Sequence, residues 1–300
     1  MGEFYNPDKL YKGGSRNNSL INKKMIFRVL GVLLFIESAM FLLCAAVSLC
    51  YGEQDYQFFL FTFLLNTLVG GDLLICSRGA ENRLTRRDGY CIVTFTWFLF
   101  TLFGMLPFYF SGGIPSVTDA FFETMSGFTT TGATILDDIE SLSHGLLFWR
   151  SWTQWIGGVG IGFVTIAVLP IFGGGTIQLF SAEAIGVTHD KTHPRIDVMA
   201  KWLWMIYAIL TIAETVLLMI GGMSFFDAVC HSFSTTATGG YSTKQASVAY
   251  WNSPFIEYVI AIFMILSGIN FSLYFMCLKG KGKRLFQDDE FRWFMKSVSI

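Results

Sequence analysis

Two short polar segments, 108 positions apart, constrain this chain more than any other feature of its sequence. The first loop reads DAFFETMSGFTTTGAT over residues 119–134, and the second loop reads DAVCHSFSTTATGGYS over residues 227–242. They align without a gap, and each lies between two long apolar segments. Each is too short and too polar to cross a bilayer. A short helix and a Thr/Gly-rich turn between two membrane helices indicate backbone carbonyls that line an ion path.

The composition indicates an integral membrane protein. Hydrophobic residues make up 53% of the chain and charged residues only 14%, whereas about a quarter of a typical soluble domain is charged. Six segments are predicted to span the membrane, and they cover residues 25–50, 58–77, 90–110, 145–172, 202–222 and 254–278. The predicted fold class is therefore all-α, with six transmembrane spans and two re-entrant pore loops.

The order of these segments predicts two helix–pore loop–helix repeats after an extra helix pair. The predicted units are a tail at 1–24, the helix pair at 25–78, the first repeat at 89–172, a loop at 173–200, the second repeat at 201–278 and a final segment at 279–300.

Basic residues predict the orientation. Of the 21 Lys and Arg residues, all except Arg150 and Lys244 lie near the N-terminus, between the second and third spans, between the fourth and fifth spans, or after the sixth. Because basic residues are enriched on the cytoplasmic side, both termini are predicted to be cytoplasmic. Both pore loops then enter from outside.

The start of each loop predicts a short helix that points into the membrane. Asp119 and Asp227 are expected where these helices begin, as caps and as compensation for the helix dipole. The helices are predicted to end near Phe128 and Thr236, so that their negative C-terminal ends favour a cation in the middle of the membrane.

The residues after each helix are the candidate ion ligands. They are Thr130, Thr131, Gly132, Thr238, Gly239 and Gly240, predicted to be extended and to present backbone carbonyls to potassium. Gly132 and Gly240 can adopt backbone angles that other residues disfavour. A turn that only ties two helices together is the alternative for one loop, but two aligned loops favour the ion path.

Other polar residues in the apolar segments leave alternatives open. Four carboxylates are expensive in hydrocarbon and are expected to face protein or water, either beside the ion path or in bonds between helices: Glu37, Asp72, Glu214 and Glu257. Glu123 and His231 occupy equivalent positions in the two short helices, where they serve either anchoring or ion coupling.

An enzymatic function is not indicated. No phosphate-binding loop, HExxH motif or pair of carboxylates at a usable spacing is present, and no organic cofactor or nucleic-acid partner is expected.

These residues resemble the Trk/Ktr/HKT superfamily of potassium transporters, in particular its bacterial Trk-type membrane subunits, over nearly all of residues 25–300. The resemblance depends on six motifs: LTRRDGY at 84–90, the first loop, WTQWIGGVGIG at 152–162, HPRIDVMAKWLW at 193–204, the second loop, and FMILSGINF at 263–271.

The resemblance implies a function, a location and partners. It implies potassium uptake across the bacterial inner membrane through a potassium-channel-like pore, with residues 130–133 and 238–241 as filter strands. In some plant relatives a serine replaces the first filter glycine and accompanies sodium transport, so that Gly132 favours potassium. A cytoplasmic ring of nucleotide-binding regulatory subunits is expected to contact the loop at 173–200 and the basic tail.

The family folds four such repeats into one pore, whereas two are found here. The sequence is therefore expected to be part of a longer chain or a truncated product. Three hypotheses remain: half of a potassium transporter, a pore former that must form a homodimer to conduct, or a non-conducting scaffold for regulatory subunits. The potassium ion is an expected partner in the first two, and membrane lipid is an expected partner in all three.

Overall fold

Helices make up the regular structure of this chain in the parts that its computed structural model describes, residues 21–80, 85–160, 196–278 and 287–298. Within these ranges there is no β-strand. The α-helices are α1 (Lys23–Cys50), α2 (Tyr56–Cys76), α3 (Arg86–Gly104), α4 (Leu106–Phe110), α5 (Val117–Phe128), α6 (His144–Val159), α7 (Ile196–Ile220), α8 (Phe225–Thr236), α9 (Pro254–Gly268), α10 (Phe271–Leu278) and α11 (Asp289–Val298). A 3-10 helix covers Ser247–Trp251.

Helices α1 and α2 form a close antiparallel pair. Gly31 and Gly70 face each other, and a Cβ atom added to Gly31 would lie 2.9 Å from the Gly70 carbonyl oxygen. Small residues at such positions allow helix backbones to approach closely within a membrane. Deeper in the pair, the Asn66 amide donates to the Glu37 carboxylate at 3.0 Å and to the Leu34 carbonyl at 3.1 Å.

Four helical stretches in the described ranges are long and apolar enough to cross a membrane. They are Lys23–Cys50, Tyr56–Cys76, Arg87–Phe110 and Trp202–Ile220. The third of these is interrupted at Met105, between α3 and α4, where Pro107 at the start of α4 has no backbone N–H to donate. Of the predicted fourth span, residues 161–172 lie outside the described ranges, as does most of the predicted loop at 173–200.

The predicted sixth span, residues 254–278, is not a single helix. Helix α9 ends at Gly268, Ile269 is extended with ψ of 139°, and α10 begins at Phe271. The Tyr274 hydroxyl donates to the Leu266 carbonyl at 2.7 Å, which satisfies one of the acceptors left at the end of α9.

Trp149 joins the helix pair to the first loop. Its ring is fully buried, with centroids 4.7 Å from the Phe41 ring on α1 and 6.0 Å from the Phe128 ring on α5. Its indole N–H donates to the Gly104 carbonyl at the end of α3, at 2.8 Å. One large aromatic side chain thus fixes the inner end of α5 against three other helices.

Helix α8 packs against α6 and α7. Phe233 on α8 lies among aromatic rings of α6, with centroids 5.1 Å from Trp152 and 5.4 Å from Trp155. The same helix, α6, therefore contacts both short helices, α5 on one side and α8 on the other.

Polar contacts mark the two ends of α1. At its C-terminal end, Glu53 accepts from the His144 backbone N–H at 2.9 Å and contacts the His144 ring nitrogen at 2.7 Å. At its N-terminal end, Asp88 accepts from the Asn22 N–H at 2.8 Å and forms a capping box with Thr85.

Candidate functional site

The two loops begin with the same cap. The Ser116 and Ser224 side chains accept from the backbone N–H groups of Asp119 and Asp227, at 3.4 and 3.1 Å. The prediction that Asp119 and Asp227 themselves cap the helices is wrong, because each lies in the first helical turn. Carboxylates there still compensate the helix dipole.

The short helices end where the sequence predicted, at Phe128 and Thr236. Each is followed by the same tight turn. In the first loop, the N–H groups of Thr130 and Thr131 donate to Gly127 and Ser126, both at 2.9 Å. In the second loop, Thr238 and Gly239 donate to residues 235 and 234, at 2.9 and 2.8 Å.

The predicted extended conformation is wrong at the first residue of each turn. Thr130 and Thr238 have φ of 52° and 54°, in the left-handed region. A left-handed residue brings the next N–H back to the end of the helix and reverses the chain there, which an extended residue cannot do.

Both predicted glycines have positive φ, as expected. Gly132 has φ of 74° and Gly240 has φ of 88°. Gly132 also lies against the other loop, since a Cβ atom added to it would overlap the Gly239 carbonyl oxygen. Glycine at position 132 is thus required both by backbone angle and by the approach of the two loops.

In each loop, a serine of the short helix also contacts the residue that follows the positive-φ glycine. The Ser126 hydroxyl donates to the Ala133 carbonyl at 2.6 Å, and the Ser234 hydroxyl lies 2.6 Å from the Tyr241 carbonyl. These serines are aligned in the repeat, and so are their acceptors. The turn and the serine together fix the backbone between them.

The six predicted ligand residues keep their carbonyl oxygens available. Within the described parts of the chain, no hydrogen-bond donor is directed at the carbonyl oxygens of residues 130–132 or 238–240. Nor do the described residues contain a cluster of three or more His, Cys, Asp or Glu side chains that could hold a metal ion. Backbone carbonyls are thus among the ligands that this site can offer to a cation.

A buried ion pair joins the two loops. Arg150 on α6 donates to the Glu123 carboxylate at 2.6 Å and to the Ser242 carbonyl at 2.9 Å, and both charged side chains are buried. The Arg150 guanidinium also lies over the Tyr241 ring, 3.7 Å from its centroid. Glu123 further accepts from the Ile135 N–H at 2.9 Å.

The contacts of Glu123 and His231 favour the anchoring role for both side chains. Glu123 anchors the outer end of its loop through Arg150. His231 lies 2.8 Å from the Asp227 carbonyl through Nδ1 and 3.0 Å from the Ser242 hydroxyl through Nε2. Both side chains anchor the chain that follows their helix, although they use different chemistry.

Gln154 is a further site residue that the sequence interpretation did not identify. Its Oε1 accepts from the Tyr241 N–H at 3.1 Å and lies beside the Ser234 hydroxyl oxygen. The Tyr241 hydroxyl in turn donates to the Glu123 carbonyl at 2.8 Å. A signal existed for Arg150, because a cation between apolar residues needs a buried partner, but Gln154 has no such signal.

The four carboxylates of the apolar segments divide into two pairs. Glu37 and Glu214 are fully buried, whereas Asp72 and Glu257 are exposed on the described surface. Helix α6 also approaches both loops closely at two of its glycines. A Cβ atom would overlap the Phe128 carbonyl if added to Gly157, and would lie 2.7 Å from the Ala237 Cα if added to Gly158.

Comparison with known proteins gives consistent matches. Residues 55–297 match the family model TrkH, described as a cation transport protein. The Trk system potassium uptake protein TrkH of Salmonella typhimurium is 43% identical over 275 residues, which cover 91% of this chain and 57% of that protein. TrkG of Escherichia coli K12 is 35% identical, with the same coverage.

A solved structure shows the same fold. The crystal structure of the potassium transporter TrkH from Vibrio parahaemolyticus matches with a TM-score of 0.78 and 38% identity, over 91% of this chain and 56% of that one. The chain thus spans a little over half the length of the relatives it matches.

Proposed function

The chain belongs to the TrkH family of cation transport proteins, and we propose that it supplies two of the four filter strands of a potassium uptake path. The proteins it matches are named for potassium uptake or potassium transport. The chemistry of the two loops supports the same substrate here.

The observation that carries the proposal is the set of carbonyl oxygens at residues 130–132 and 238–240. These oxygens receive no hydrogen bond from any described donor, and the two loops approach each other at Gly132 and Gly239. In potassium channels, rings of such carbonyls replace the hydration shell of the ion. The same role here accounts for acceptors that are left unpaired at these residues.

The short helices add to the attraction for a cation. Both end immediately before the carbonyl-bearing residues, at Phe128 and Thr236. The C-terminal end of a helix carries partial negative charge. Each of these ends favours a cation beside the carbonyl-bearing residues that follow it, without a carboxylate ligand.

Two filter strands can surround an ion on only two sides, so two further filter strands are needed to complete its coordination. The first loop leaves Thr131, Ala133 and Thr134 exposed on the described surface. Exposed carbonyls against lipid would cost several kcal/mol each. We propose that further repeats of the same kind cover this side, as the family resemblance implies.

A homodimer is the second candidate arrangement. The same exposed side of the first loop would be covered by the loops of a second copy around a two-fold axis. Particle mass in detergent separates the two arrangements, because only the homodimer requires two copies for one pore.

The proposed location is the bacterial inner membrane, with both termini in the cytoplasm. There, the loop at 173–200 and the tail after residue 278 are the proposed contacts of a nucleotide-binding regulatory ring. In a variant without native cysteines, Asp138→Cys should react with an impermeant reagent from outside and Arg78→Cys only from inside. Both positions are exposed. Labelling of Arg78→Cys from outside would overturn the orientation.

The test of function is ion preference in the gene product that carries this sequence. Gly132→Ser and Gly240→Ser should each lower the preference for rubidium, as a potassium tracer, over sodium in a strain deficient in potassium uptake. A serine there disturbs carbonyls that must replace water around the ion. Gly112→Ser is the matched control, since Gly112 has φ of 75° but lies before α5. Unchanged preference in both filter variants would refute the assignment.

A further inference from the structure

Glu214 is a buried carboxyl beside the second loop. It lies within α7 with no exposed surface, and its Oε1 has no hydrogen-bond partner among the described residues. Its Oε2 lies 3.5 Å from the Thr236 hydroxyl, at the last residue of α8. None of the ion pairs formed by described residues includes Glu214.

Thr236 belongs to a chain of polar groups that joins three helices. The Trp155 indole N–H on α6 donates to the Thr211 hydroxyl oxygen on α7 at 3.0 Å. Thr211 gives its single hydrogen to the Tyr207 carbonyl at 2.9 Å, and its oxygen lies 3.4 Å from the Thr236 oxygen. The Thr211 oxygen can therefore accept the Thr236 hydrogen, and the Thr236 oxygen is then left to accept from another donor.

A neutral Glu214 supplies that donor. As a carboxylic acid it has one O–H, which can be donated to the Thr236 oxygen. As a carboxylate it would be a buried charge without a cationic partner, and it would face the negative end of α8. Both arguments favour the acid over the anion.

We propose that Glu214 acts as a neutral carboxylic acid that positions the second filter strand. The inference rests on the proposed function, because it assigns a role in the same ion path. Thr236 lies two residues before Thr238, and Thr238 begins the strand by bonding residue 235. A shift of Thr236 is thus transmitted directly to the carbonyls at 238–240.

The first loop has no equivalent of this contact. The aligned position, 108 residues earlier, is Leu106, which carries no polar side chain. The inner end of α5 is held instead by the apolar contacts of Trp149. Glu214 therefore acts on the second strand alone.

Two substitutions of opposite chemistry test the proposal. Glu214→Gln keeps the length of the side chain and a hydrogen-bond donor but cannot ionise, whereas Glu214→Asp keeps the carboxyl but withdraws it by one methylene. Glu37→Gln is the matched control, since Glu37 is equally buried but lies in the helix pair and bonds Asn66. Preference for rubidium over sodium is measured in the complete gene product, as above.

The expected order of ion preference among these variants distinguishes a neutral carboxylic acid from a carboxylate. Glu214→Gln and Glu37→Gln should keep the parent preference, and Glu214→Asp should lose about threefold to tenfold, the effect of one interhelical hydrogen bond in a membrane. Retained preference in Glu214→Asp with loss in Glu214→Gln would show that the anion is the active form and would overturn the proposal. Equal preference in all variants would overturn it as well.

Infrared spectroscopy tests the protonation state independently of transport. At neutral pH, the spectrum of the parent should contain the carbonyl band of the protonated Glu214 carboxyl, and the spectrum of Glu214→Gln should lack it. The difference between the two spectra should therefore show this band. If the parent itself shows no preference for rubidium, the proposed function fails. The infrared band alone then decides whether Glu214 is neutral, and its absence would overturn that assignment.

Discussion

The two loops have nearly the same backbone but are held in place differently. Each has a serine cap, a left-handed threonine, a glycine with positive φ and a serine hydroxyl tied to its outer end, all at the same repeat positions. In the second loop, however, Gly239, Tyr241 and Ser242 are buried, although Thr238 and Gly240 are exposed. In the first loop the aligned Thr131, Ala133 and Thr134 are exposed.

The difference teaches that loop shape and loop placement are encoded separately. Shape comes from short-range bonds within each loop, which the repeat duplicates. Placement comes from Arg150, Gln154 and Tyr241, which the repeat does not duplicate. Their counterparts 108 positions away are Tyr258, Ile262 and Ala133, and the first two are exposed on α9.

The largest expected effect on stability comes from removing Arg150, one of the side chains that place the loops. Arg150→Met leaves Glu123 buried without its cation, which should lower the free energy of unfolding by about 3–5 kcal/mol. The measurement is thermal unfolding of the purified protein in detergent.

Two further variants make that result specific. Glu123→Gln combined with Arg150→Met removes both charges and should recover part of the loss. Arg292→Met removes a surface pair with Asp289 (3.2 Å) and should change stability by less than about 1 kcal/mol. Arg150→Met with parent stability would mean that the loops are not held by this pair.

Alanine substitutions at Gly132 and Gly240 should distinguish the backbone strain within one loop from the contact between the two loops. Gly240→Ala meets no atom within 4 Å, so that only its φ of 88° opposes the change, at a cost of about 1–2 kcal/mol. Gly132→Ala has the same kind of backbone cost and in addition overlaps the Gly239 carbonyl. Thermal unfolding should therefore rank Gly132→Ala as the more destabilised. The reverse order would mean that the loops do not approach at Gly132.

The smallest effect is expected at the outer turns, where Lys244 donates to Glu140 at 3.1 Å. Partial burial lowers the pKa of Lys244, but the hydrogen bond and the charge of Glu140 outweigh it and raise the pKa above its ordinary value. Its contribution is therefore complete below the ordinary lysine pKa and is lost as pH rises through the raised one.

Lys244→Ala should accordingly cost less than about 1 kcal/mol, because the pair is only partly buried. Thermal unfolding at neutral and at strongly alkaline pH checks both the size and the sign. A cost that grows with pH would contradict the assignment of the pair.

The sequence predicted the parts that repeat. Aligned Thr/Gly residues predicted the ends of both short helices and the positive φ of Gly132 and Gly240, because these depend on local chain geometry. The same alignment missed the left-handed Thr130 and Thr238, since threonine rarely adopts that region and its presence there depends on the bonds that close the turn.

The sequence could not predict contacts between non-equivalent positions. Arg150 and Gln154 act on a loop about ninety residues further along the chain, and nothing in a single sequence pairs them. The break at Ile269 was missed for another reason. The residues on both sides are equally apolar, so that hydropathy does not reveal the interruption.

The most direct test of the central claim is the position of a bound ion in a crystal structure of the complete gene product. With rubidium in place of potassium, anomalous density is expected between the carbonyl oxygens of residues 130–132 and 238–240. Gly132→Ser should weaken that density, and Gly112→Ser should not. Density absent from this place, with rubidium bound elsewhere along the transport path, would contradict the claim that the two loops line one potassium path.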